Sequence, residues 1–193
     1  MKKLDYKNKI AIVTGASSGI GKEICIRLVS DYGCTVYGIA RSKDNLLLLK
    51  EELGEKFIPY PMDVGVLQNW KDLREFLQKT NTHPHILINC AGFLPTFARF
   101  EETEVDLYEK AMQINFMSCV YSCYEIMELV EKDGAVVNVS SASALCPFGG
   151  VGAYSSSKSA LLSFTQSIGC EKRDVSVLCV LPGFVKTDIM KNQ

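Results

Sequence analysis

The sequence predicts an α/β domain built on one doubly wound parallel sheet. Three observations carry the prediction. Short apolar runs alternate along the chain with stretches of helical periodicity. The first run ends in a cluster of glycines between Thr14 and Gly21. Polar side chains gather where the apolar runs stop, which would be the carboxyl ends of parallel strands, where such sheets bind ligands.

Each element follows from its local pattern. Lys9 to Thr14 (KIAIVT) is an apolar run closed by glycine, a buried first strand. Gly19 to Tyr32 has helical spacing through Ile20, Ile24, Leu28 and Val29. Cys34 to Ala40 is a second strand and Leu46 to Leu53 a second helix. Phe57 to Met62 holds two prolines, which suits an edge strand because proline cannot donate to a ladder. Val66 to Lys79 is a helix, His85 to Cys90 a fourth strand, and Glu102 to Val130 one long helical region. Ala135 to Val139 is a fifth strand, Ala153 to about Cys170 a helix, and Val175 to Leu181 a sixth strand. Right-handed crossovers then place the strands in the order 3-2-1-4-5-6, with helices on both faces.

Composition narrows the class. A chain of 193 residues with 47% hydrophobic and 22% charged residues fits one domain with a substantial core. A net charge of −1 gives no electrostatic footing for nucleic acid or an anionic membrane. No apolar run has the length of a membrane span. MKKLDYKNK is basic but lacks the apolar stretch of a signal peptide. The eight cysteines mostly sit inside apolar patterns, and none forms a Cys-x-x-Cys pair. They read as buried free thiols in a reducing cytoplasm rather than as a disulfide framework. With only His83 and His85 to accompany them, no metal-ligand spacing is present.

The glycine cluster reads Thr14-Gly15-Ala16-Ser17-Ser18-Gly19-Ile20-Gly21. Gly15 permits a sharp turn, Gly19 a close approach of backbone to phosphate, and Gly21 tight packing of helix on strand. The helix that follows offers free N–H groups and a positive dipole end to an anion. The Gly-Lys-Ser/Thr of a triphosphate-binding loop is missing, so triphosphate hydrolysis is excluded on this pattern. Where an acidic residue would mark NAD(H) at the end of strand two, the chain has Arg41-Ser42-Lys43. Arg41 offers a forked, charge-assisted grip on a 2′-phosphate, with Ser42 as a further donor, so the pattern favours NADP(H) over NAD(H). Downstream, Tyr154 and Lys158 lie one helical turn apart on one face. A neighbouring ammonium favours the phenolate and would lower the tyrosine pKa. Taken alone, the same pair could be an exposed surface contact.

These motifs resemble those of the short-chain dehydrogenase/reductase family in its short, single-domain form. The resemblance rests on Thr14–Gly21, Asn89-Cys90-Ala91-Gly92, Asn115, Ser141, Tyr154-x-x-x-Lys158 and Pro182-Gly183-x-Val185-x-Thr187, and it spans nearly the whole chain. It implies a Rossmann fold and oxidoreduction between a carbonyl and a secondary alcohol. It implies Tyr154 as general acid/base, and Ser141 as the group bonding the same substrate oxygen, with Ser140 a second choice. Lys158 would bond the nicotinamide ribose, and Asn115 a water linking Lys158 to solvent. The cofactor would lie along Gly15, Ser17, Ser18, Gly19, Ile20 and Gly21. Asp63 would meet the adenine amino group, with Val64 against the ring. Asn89 would steady the sheet centre while Ala91 and Gly92 run beside the cofactor. Pro182, Gly183, Val185 and Thr187 would meet the nicotinamide.

Family members usually continue past this point into a substrate-covering segment and a seventh strand. The expectation is therefore one domain over residues 1–193 without that lid, with strand six as an open edge. The long helix has more apolar positions than one packed face needs, and the resemblance implies that it and the Tyr154 helix form the interface of a homodimer or homotetramer; core packing alone is the other reading. The loops Phe93 to Phe100 and Ala142 to Val151 carry Phe93, Leu94, Phe97, Leu145, Pro147 and Phe148, which suit a small to medium apolar carbonyl or alcohol. The alternative is a binding or regulatory module that responds to a dinucleotide without catalysis.

Overall fold

A computed structural model describes residues 6–172 and 174–185. Six parallel strands form one sheet in the order β3-β2-β1-β4-β5-β6. They are β1 (Ile10–Thr14), β2 (Thr35–Ala40), β3 (Phe57–Pro61), β4 (Ile86–Asn89), β5 (Ala135–Val139) and β6 (Ser176–Val180). This is the predicted doubly wound arrangement, with the proline-bearing β3 at one edge and, among the described residues, β6 at the other.

Strand alternation divides the core into two layers. Ala11 and Val13 of β1 face one way and pack with Cys25, Val29, Leu46 and Leu49 from α1 (Gly19–Ser30) and α2 (Lys43–Leu53). Ile12 faces the other way, into a layer with Trp70, Leu73 and Leu77 of α3 (Leu67–Lys79) and Ile126 of α5 (Ser118–Ile126). Phe164 and Ile168 of α6 (Gly152–Glu171) pack against that second layer. Gly38 in β2 leaves room for the Phe57 ring of β3, which a β-carbon there would strike.

The ends of elements move for identifiable reasons. Helix α1 stops at Ser30 rather than Tyr32, because Gly33 (φ 67°) turns the chain and its N–H returns to the Val29 carbonyl at 3.1 Å. Helix α2 begins at Lys43 rather than Leu46, because the Ser42 hydroxyl accepts from the Asn45 N–H at 3.4 Å. Strand β4 ends at Asn89 because the N–H groups of Cys90 and Ala91 both donate to the Thr14 hydroxyl, at 2.9 and 3.0 Å.

The single long helix expected from Glu102 to Val130 is not formed as such. Helix α4 (Val105–Met112) runs into a π turn at Gln113–Met117 and then into α5, with short 3₁₀ turns at Phe100–Glu102 and Met127–Leu129. The π turn widens the helix by one residue around the fully buried Asn115.

Candidate active site

The carboxyl ends of the strands open onto one cleft of about 990 Å³. The β1–α1 turn forms its floor. Gly15 (φ 72°) and Gly19 (φ 55°) adopt backbone that favours glycine. A β-carbon on Gly21 would collide with the Gly15 carbonyl. Ser18 precedes α1 but makes no capping bond through its side chain, and the first helical turn has no acidic residue. The N–H groups of that turn therefore remain available to an anion. Thr14 fastens this turn to the end of β4 and was visible in the sequence only as part of the motif.

Of the predicted cofactor residues, Ser17, Ser18, Gly19, Ile20 and the flanking Gly15 and Gly21 line the cleft. So do Arg41, Asp63, Val64, Ala91 and Gly92, and at the far side Pro182, Gly183 and Val185. The Asp63 carboxylate accepts from the Gly65 N–H at 2.8 Å, and Val64 is buried with its carbonyl held by Trp70 at 2.9 Å. Arg41 is exposed and makes no ion pair among the described residues. The charged side chains on the lining are Arg41, Lys110 and Lys158 against the single carboxylate of Asp63. Glycine cradle, free helix end and cationic lining together fit a dinucleotide phosphate.

Three predicted residues stand elsewhere. Ser42 caps α2 and is not on the lining. Asn89 is buried within the sheet, where it donates to Asn138 at 2.8 Å, and Asn138 donates in turn to Thr165 of α6 at 2.9 Å. That ladder ties β4, β5 and α6 together and keeps Asn89 out of the cleft. Asn115 lies behind the cleft wall. Its amide donates to the Phe93 carbonyl at 2.8 Å and to Ser157 at 2.9 Å, and its oxygen accepts from the Phe93 N–H at 2.7 Å. Both amide hydrogens are thus used, so only acceptor positions remain for the water implied by the resemblance. Thr187 lies outside the described residues.

The proton-bearing groups converge as the helix spacing predicts. Lys158 is 3% exposed, donates to the Val139 carbonyl at 2.8 Å, and stands 5.7 Å from the centre of the Tyr154 ring. Burial lowers the pKa of its ammonium. Tyr154 shows the opposite of the expected shift: burial raises its pKa, and a hydrogen bond from Ser141 only partly offsets this. Desolvation dominates here, and the ammonium that helical spacing brings near does not offset it. The two serines separate cleanly. Ser140 is buried and donates to the Lys158 carbonyl at 2.8 Å, so it anchors α6, whereas Ser141 is half-buried and accepts from Ser143.

The apolar wall comes from three loops. The Phe97 and Phe148 rings stack with centroids 6.2 Å apart, and Phe184 tilts against Phe148 at 6.1 Å. Leu145 and Pro147, expected on this wall, are exposed and off the lining, while Cys146 takes a place on it. Lys110, with its ammonium 4.6 Å above the Phe93 ring, also lines the cleft and carried no signal in the sequence beyond its helical position. Among the described residues no group of three or more His, Cys, Asp or Glu could hold a metal ion.

Fold and cleft together delimit a class, the NAD(P)-dependent dehydrogenases and reductases that act on CH–OH groups. The sequence model of the short chain dehydrogenase family matches residues 9–193, and the chain belongs to that family. It is 37% identical over 186 residues to an uncharacterised oxidoreductase of Saccharomyces cerevisiae, covering 95% of this chain and 73% of that protein. It is 34% identical over 207 residues to 11-beta-hydroxysteroid dehydrogenase-like 2 of Arabidopsis thaliana, covering 100% of this chain and 65% of the plant protein. A crystal structure of a Saccharomyces cerevisiae short chain dehydrogenase/reductase aligns with a TM-score of 0.86 at 36% identity, over 96% of this chain and 74% of the other. A Burkholderia phymatum short chain dehydrogenase/reductase solved in complex with NAD aligns with a TM-score of 0.90 at 21% identity, over 97% and 69%, a likeness of fold.

Proposed function

We propose that this chain is an NADP(H)-dependent oxidoreductase that interconverts a carbonyl and a secondary alcohol. The observation that carries the reading is that Ser141, Tyr154 and Lys158 share one cleft with the Gly15–Gly21 turn. The chain acts as a single dinucleotide-binding domain that also bears the catalytic residues. The β1–α1 turn would hold the pyrophosphate, Asp63 and Val64 the adenine, and Pro182, Gly183 and Val185 the nicotinamide end. Arg41 would hold the 2′-phosphate, since no acid stands beside it to bond a ribose hydroxyl instead.

When bound, the nicotinamide supplies or accepts hydride. The chain manages the proton. Tyr154 Oη donates it to the carbonyl oxygen in reduction and takes it from the hydroxyl in oxidation. Ser141 hydrogen-bonds the same oxygen and stabilises charge as it develops there. The Lys158 ammonium, 5.7 Å from the centre of the Tyr154 ring, would favour the phenolate once the proton has left. Phe97, Phe148 and Phe184 exclude water and select an apolar carbonyl or alcohol of small to medium size.

We place this activity in the cytoplasm, a reading supported by eight free cysteines. A homodimer or homotetramer through α4–α5 and α6 completes the proposal, supported by Val105 and Tyr124, exposed at 70% and 77% on those helices. The test is a pair of titrations with NADPH and NADH followed by melting temperature. NADPH raises the melting temperature at lower concentration than NADH, and Arg41→Ala weakens NADPH about tenfold while sparing NADH. Equal response to both nucleotides removes the assignment of Arg41. Response to neither removes the dinucleotide site.

A further inference from the structure

Ser141 begins a short 3₁₀ turn, Ala142–Ala144, in the loop after β5. Among the described residues two donors reach its oxygen, and both belong to Ser143: the backbone N–H at 3.2 Å and the hydroxyl at 3.0 Å. A serine oxygen has two acceptor lone pairs and one proton to give. With both lone pairs engaged, Ser141 keeps only its donor role. Ser143 is 7% exposed, and its hydroxyl has no other hydrogen bond among the described residues, so its proton is committed to Ser141. The Ser141 proton is then left for the oxygen of Tyr154, or for a substrate oxygen standing in the same place.

We infer that Ser143 is a positioning residue that makes Ser141 an obligate hydrogen-bond donor into the cleft. The relay runs from the Ser143 hydroxyl to the Ser141 oxygen, and leaves the Ser141 proton to the cleft that Ser141 shares with Tyr154. Each donor in such a chain is strengthened by the one behind it. The direction of the relay matters. A Ser141 hydroxyl free to rotate could accept from Tyr154 instead, which would stabilise the phenol and oppose its ionisation. The other ionisable groups facing Tyr154 are Lys158 on its own helix and Cys90 at the end of β4. Neither bonds to Ser143, so a change at Ser143 reaches Tyr154 through Ser141.

The assignment rests on the oxidoreductase reading for its purpose, but its test needs no turnover. The 193-residue chain is labelled with 13C at the oxygen-bearing tyrosine ring carbon, and Tyr154→Phe identifies the resonance. The phenolate fraction of Tyr154 is compared at one alkaline pH at which every variant remains folded. Ser143→Ala is expected to lower the ratio of phenolate to phenol about threefold, equivalent to a pKa rise of about half a unit. Ser143→Thr keeps the hydroxyl and is expected to restore it. An unchanged fraction in Ser143→Ala overturns the assignment. An equal fall in Ser143→Thr also overturns it, since the effect would then be one of packing. Should a carbonyl panel show no turnover while the Tyr154 shift is observed, the oxidoreductase reading fails and the Ser143 assignment stands.

Discussion

Tyr154 works against its own surroundings. Burial in the cleft favours the neutral phenol and Cys90 adds to it, while the Ser141 hydroxyl opposes both. A group so balanced holds its proton until a substrate oxygen is in place to receive it. Tyr154→Phe removes the proton while keeping the ring, so kcat is expected to fall about 10² to 10⁴-fold in a carbonyl reduction assay. The rise in melting temperature on adding NADPH should persist, because the phosphate turn is untouched. At this scale the residue types were legible, since helical spacing alone places Tyr154 and Lys158 together. The direction of the tyrosine shift was not, because desolvation depends on what the rest of the chain packs over the ring. The separation of Ser140 from Ser141 likewise depends on which hydroxyl meets the Lys158 carbonyl.

Among the elements, the π turn between α4 and α5 is the one that links fold to site. Its buried Asn115 holds both the N–H and the carbonyl of Phe93, and so fixes the loop that leaves β4 beside the cleft. Asn115→Ala leaves those two groups without their partner, whereas the Ser157 hydroxyl keeps its bond to the Tyr154 carbonyl at 2.7 Å. Each unpaired buried group costs about 1–3 kcal/mol, so a loss of at least about 2 kcal/mol is expected in urea unfolding, with weaker NADPH binding. The periodicity of the sequence showed one long helix here because a π turn differs from an α turn by a single residue. What creates it is a partner, Phe93, that lies on a different loop. The same holds for Ser42, which reads as a phosphate donor after β2 and becomes a helix cap once α2 starts at Lys43.

On the scale of the whole molecule, the buried thiols set a limit in alkali. Burial pushes the Cys25 and Cys123 thiols up to about 12, and Cys119 to about 11, from 9.0. The folded state therefore keeps protons that the unfolded chain releases above pH 9.0. Stability is fully present below that pH and is lost as pH rises toward the folded values, by about 1.4 kcal/mol per pH unit for each thiol. Melting temperature should fall steeply between these limits. Cys25→Ala, though less stable at neutral pH because of its cavity, should show a shallower slope. A slope unchanged in Cys25→Ala would count against burial as the cause.

The sequence by itself determined the sheet order, the glycine turn, the basic character of the cofactor end and the helix face bearing Tyr154 and Lys158. All of these follow from local steric rules and short-range periodicity. Only the tertiary structure decided that Asn89 belongs to a buried amide ladder, that Asn115 clamps Phe93, that Ser143 turns the Ser141 hydroxyl, and that Tyr154 is held protonated. Each of these depends on groups far apart in the chain or on the exclusion of water, and neither is written in the spacing of neighbouring residues.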